Sequence, residues 1–117
     1  MNVTQRLKLY EALILLNTYD YDSCRNYISS LLQENESIIH FRIILEILEL
    51  IDMVKEERFQ EIKRQLDYIV DLLERIEDDS FNKGFKELIN QIVEDFKDPP
   101  IGFPKKKLVI NWHVLVK

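Results

Sequence analysis

The chain has 117 residues, 46% of them hydrophobic and 32% charged, and a net charge of −5; that length suits one domain burying about two-thirds of the surface its unfolded chain exposes. Two glycines and three prolines leave too few tight-turn residues for a many-stranded sandwich or barrel, and the apolar share is too high for a disordered chain. Acidic residues run from Glu34 to Asp98 with no basic stripe along any segment, which argues against a nucleic-acid surface, because affinity there comes from phosphate neutralisation.

Thr4 is expected to cap a first helix whose apolar positions Leu7, Tyr10, Leu13, Ile14 and Asn17 recur at helical spacing. The apolar run Leu13 to Leu16 is too short for a signal peptide's core, and a membrane span needs roughly 20 apolar residues. Asn17 to Asp22 interrupts the pattern. Asp20 or Asp22 then caps a second helix carrying Cys24, Tyr27, Ile28, Leu31 and Leu32 and ending near Asn35. These two elements form a helical hairpin.

Asn35 or Ser37 opens a third helix, in which Ile39, Ile43, Ile44, Ile47, Leu48, Leu50, Ile51 and Val54 leave little polar face. A helix apolar over so much of its circumference belongs at the centre of the fold. From Phe59 the seam is Phe59, Ile62, Leu66, Ile69, Leu73 and Ile76, an alternating three-and-four spacing. Carrying the earlier seam past Val54 would put Glu57 and Glu61 in the core, so the chain must turn or kink between Lys55 and Arg58.

Asp78, Asp79 and Ser80 cap a fifth helix bearing Phe81, Phe85, Leu88, Ile89, Ile92, Val93 and Phe96, with Gly84 inside it. Asp98–Pro99–Pro100 ends that helix, because proline restricts the residue before it and cannot continue the hydrogen-bond ladder. The expected organisation is a single all-α bundle of about five helices over residues 1–98, a Pro/Lys connector over 99–107 and an extended β-strand over 108–117. In that last segment Leu108, Ile110, Trp112, Val114 and Val116 alternate on one face at period two. Lys105–Lys106–Lys107 reads as solvated linker charge or protection for a strand edge.

Little in the chain points to chemistry. Cys24 is the sole cysteine, which fits a reducing, cytoplasmic setting and a small buried hydrophobe better than a nucleophile or zinc ligand. His40 follows Glu36 by four residues, so both would share a helix face. A di-metal carboxylate bundle would instead repeat Glu-x-x-His on two helices, whereas Ser37 stands three before His40 and Ile110 three before His113. His40 is read as a core-edge residue. The acid pairs Asp67 with Asp71 and Glu74 with Asp78 read as a solvated helix face, with Asp71 four residues before Arg75 for an ion pair. Gly84 and Gly102 stand alone, so no phosphate loop exists. No catalysis, cofactor, metal, membrane or small-molecule ligand is expected.

The pairs of antiparallel helices over Gln5 to Ile76 look like tetratricopeptide-type hairpins in outline. Those repeats need small residues at their helix crossings, Ala12 is the only alanine, and no period near 34 residues emerges, so the likeness assigns no family. A lone apolar strand must satisfy its backbone and its hydrophobic face somewhere. It would pair with its mate in a homodimer, add to a partner's sheet, or lie in a groove of its own helices. The expected function is protein–protein contact: a small acidic adaptor, or an immunity- or antitoxin-like inhibitor whose charge steers a basic partner. The alternative is a structural subunit of a homodimer or larger assembly. The expected contact residues are Trp112, Leu108, Ile110, Val114 and Val116, with Tyr19 and Tyr21 of the first hairpin.

Overall fold

A computed structural model describes residues 2–18, 20–34 and 38–97. The described residues are all-helical: α1 (Val3–Asn17), α2 (Tyr21–Gln33), α3 (Ile39–Lys55), α4 (Phe59–Glu74) and α5 (Ser80–Lys97). The expected strand over 108–117 and the connector before it lie outside the described residues.

Three of the five helix starts, those of α1, α2 and α5, have a side-chain cap. At α1 the cap is Asn2 rather than Thr4. Asn2 Oδ1 accepts from Gln5 N–H at 2.8 Å and Gln5 Oε1 accepts from Asn2 N–H at 3.0 Å, a reciprocal capping box. Thr4 has Leu7 three residues on and can form no such pair. Asp20 caps α2, its Oδ1 accepting from Ser23 N–H. At α5 the Asp79 carboxylate accepts from Asn82 N–H at 2.8 Å. The α3 cap position is Ile38, with no side-chain hydrogen bond, while the expected caps Asn35 and Ser37 lie outside the described residues.

The turn required between Lys55 and Arg58 is present, and it is a Schellman motif. Arg58 N–H donates to Met53 O at 2.8 Å and Glu57 N–H donates to Val54 O at 3.2 Å, closing the carbonyls of the last α3 turn. The motif needs a left-handed residue, usually glycine, and here Glu57 adopts it with φ of 57°. Reversal of the chain lets α4 pack back on α3 with its own seam in phase.

α3 is the central helix, packed against α1, α2 and α4, and α5 packs on α4. Nine α3 residues are buried, among them Phe41, Ile43, Ile44, Ile47 and Leu50 with no exposed surface. On α4, Leu66, Ile69 and Leu73 are buried and Ile76 closes the core just beyond the helix; Phe59, placed on the same stripe by its spacing, is 62% exposed. It sits in the first helical turn, where the described residues leave its ring largely uncovered. The α1 assignment is corrected more deeply. The buried face is Leu9, Ala12, Leu13 and Leu16, whereas Leu7 is 62% and Ile14 50% exposed.

Candidate interaction surfaces

Two apolar surfaces remain on this frame. The first is on α1, whose buried side is made by Leu9, Ala12, Leu13 and Leu16. Val3, Leu7, Tyr10 and Ile14 fall on another side at intervals of four, three and four residues, and Val3 is 71% exposed. Tyr10 is partly buried at one edge of that stripe, its ring meeting Phe81 edge-on at 6.2 Å, and the Arg6 guanidinium lies 4.8 Å above the same Phe81 ring. α1 is thus apolar on two sides, and the fold consumes one of them.

The second surface lies where the start of α4 meets the end of α5. A shallow groove of about 600 Å³ is lined by Phe59, Ile62 and Leu66 of α4 and by Phe96 of α5, with exposed Lys63, Asp67 and Lys97 beside them. Leu66 and Phe96 are buried, so they form its floor; Phe59 and half-buried Ile62 are its open apolar wall.

Most buried polar side chains are held by a neighbour, with one exception on His40. His40 is buried against Phe85, the rings tilted by 50° with centroids 4.7 Å apart, and its Nε2 is 2.8 Å from Asn82 Oδ1. The Asn82 amide cannot be turned round, because its Nδ2 donates to Glu77 O at 2.9 Å and Asp79 Oδ2 at 3.1 Å. Its oxygen therefore faces His40, which makes Nε2 the protonated nitrogen of a neutral ring. Nδ1 is buried with no hydrogen-bond partner among the described residues. Burial pushes the His40 pKa below its ordinary value, against the opposing pull of the Asn82 hydrogen bond. Gln65, buried on α4, donates to Glu46 O at 2.9 Å and to Glu46 Oε2 at 2.7 Å, and Arg42 Nε pairs with the same carboxylate at 3.1 Å.

Cys24 is fully buried, its Sγ 3.4 Å from Ala12 O, and burial pushes its thiol up to about 12; a thiolate nucleophile needs the opposite environment. Asp71 and Arg75 form the expected surface pair at 2.6 Å. Asp78 pairs with Lys86 at 2.8 Å, not with Glu74, and the ammonium holds its carboxyl below the usual range. At the α3–α4 turn the Arg58 guanidinium is shared among Glu56, Glu49 and Glu61 at 2.8, 3.3 and 3.6 Å. Among the described residues no three His, Cys, Asp or Glu side chains gather to hold a metal ion, and no helix is long and apolar enough to cross a membrane.

Of the contact residues expected from sequence, Tyr21 is half-buried at the start of α2, with the Lys55 ammonium 5.0 Å from its ring centroid. Tyr19, Leu108, Ile110, Trp112, Val114 and Val116 lie outside the described residues. Sequence reasoning missed the outer α1 stripe, having assigned Leu7 and Ile14 to the core, and missed the groove wall at Phe59. The signal was present in α1, where leucines and isoleucines occupy more than one helical face. It missed the His40–Asn82 bond too, since nothing local links positions 42 residues apart. No family model, curated protein or solved structure matches this chain.

Proposed function

We propose that this protein works by protein–protein contact and carries out no catalysis of its own, as a small acidic adaptor or an immunity- or antitoxin-like inhibitor. The observation that carries this reading is the α1 stripe: Val3, Leu7 and Ile14 expose between half and nearly three-quarters of their surface on one side of a helix already buried on another. A contiguous apolar stripe in water on a folded surface marks a place where another protein sits. The net charge of −5 would speed encounter with a basic partner. Residues 108–117, with Trp112 as anchor, supply further contact area.

A homodimeric subunit is the second reading, and the stripe's spacing favours it specifically. Intervals of four, three and four are those of a coiled-coil seam, along which a second α1 would pack. Affinity capture with the purified full chain, run alongside light scattering over a concentration series, separates the two. An adaptor or inhibitor retains a stoichiometric partner from its own source and is monomeric alone, and Leu7→Glu releases that partner. A homodimer has twice the chain mass, and Leu7→Glu halves it. A chain that is monomeric and retains nothing refutes both.

A further inference from the structure

We propose that the α4–α5 groove is the dock for this chain's own residues 108–117 and that Trp112 is the side chain that enters it. The proposal concerns the chain in isolation; it leaves the α1 stripe of the partner reading untouched and competes with that reading only for residues 108–117.

The path of the chain permits it. Lys97, the last residue of α5, itself lines the groove, so the chain leaves the helix at the groove's edge. The connecting stretch 98–107 is ten residues long and reaches at most about 33–36 Å, close to the 38 Å longest dimension of the fold. Every part of the groove is therefore within reach of residues 108–117. Pro99, Pro100, Gly102 and Pro104 are residue types that suit a return turn.

The two apolar surfaces also match in composition. Leu108, Ile110, Trp112, Val114 and Val116 form a one-sided apolar row, and the groove offers an apolar wall of Phe59 and Ile62 over a floor of Leu66 and Phe96. A buried indole needs an acceptor for its N–H, and the exposed carboxylate of Asp67 lines the same groove.

Tethering decides between occupants. A short connector gives an attached segment an effective concentration in the millimolar range. A second copy present at micromolar concentration competes at a disadvantage of roughly a thousandfold for the same groove. Any partner that uses Trp112 must first draw it out of the groove.

Trp112 is the only tryptophan, so tryptophan emission from the full-length protein reports on this segment alone. At micromolar concentration the emission should be blue-shifted relative to the urea-unfolded chain and shielded from acrylamide, and both should hold on dilution whatever mass light scattering gives. Phe59→Glu, at a position 62% exposed, should return emission and quenching to the unfolded values while circular dichroism stays helical; Phe59→Ser is the milder second variant. Leu7→Glu on α1 should leave the emission unchanged. Emission at the unfolded value in the full-length protein overturns the proposal while leaving the partner reading intact. Burial that disappears on dilution as a dimer dissociates overturns it in favour of a second copy, and burial insensitive to both Phe59 variants overturns the groove as the dock. Failure to capture any partner touches only the partner reading.

Discussion

His40 Nε2 and Asn82 Oδ1 lie 2.8 Å apart, joining the first turn of the central helix to the first turns of α5. The backbones of these two helices are not in close contact, so the side-chain bond and the Phe85 ring packed against His40 help tie α5 to α3. Nε2–H donates this bond in either protonation state, and it is burial, which would leave a protonated Nδ1 without an acceptor among the described residues, that favours the neutral ring.

That arrangement makes stability depend on pH with a definite sign. His40 titrates below its ordinary value of 6.5 in the fold, so near and below pH 6.5 the unfolded chain binds more protons than the folded one. The His40 contribution is complete above that pH and is lost as pH falls toward the folded value, with a slope of at most about 1.4 kcal/mol per pH unit. Urea unfolding of wild type and His40→Gln at a series of pH values between 7 and 5 should show the wild-type curve falling more steeply. Parallel curves would mean that His40 is not desolvated.

Glu57 is a residue whose replacement by glycine should help. A non-glycine residue in the left-handed region costs about 1–2 kcal/mol, part of which glycine gives back through its freer unfolded chain. Glu57→Gly should therefore raise the unfolding free energy by about 0.5–1 kcal/mol, and Glu57→Val should lower it, as read by denaturant titration. A loss of stability in the glycine variant would show that the side chain matters more than the backbone angle.

The two apolar sides of α1 should respond to mutation differently. Leu13→Ala removes a fully buried side chain and should cost about 2–5 kcal/mol. Leu7→Ser, on the exposed side, should stay within about 0.5 kcal/mol for the isolated monomer. Equal costs at the two positions would mean that the outer stripe is also covered.

Cys24 should be inert in the folded protein. With its thiol pushed up to about 12 and no exposed surface, it should resist a thiol-specific reagent at pH 8 and react fully once urea unfolds the chain. Rapid labelling of the native protein would place the α1–α2 hairpin in an opened state.

Sequence by itself determined the helical class, the order of the five helices among the described residues, the burial of α3 and a break between Lys55 and Arg58. These are consequences of periodicity: an all-round apolar helix has only the centre to occupy, and a phase change in the seam calls for a turn or a kink. That the break is a full reversal was decided by the Schellman turn. Sequence offered Asp20 or Asp22 for the start of α2 and Asp79 or Ser80 for that of α5, of which Asp20 and Asp79 take the roles, while Thr4 gives way to Asn2 at α1. Tertiary structure alone decided which side of α1 is core. Leu9, Leu13 and Leu16 and the set Leu7, Tyr10 and Ile14 are each spaced for burial, and the choice falls to where α2 and α3 sit. The same holds for Phe59, spaced for the seam but left largely uncovered by the described residues at a helix start, and for His40 with Asn82, a bond made by chain path. Local pattern states what a helix can bury; only the assembled neighbours determine which of those faces leaves water.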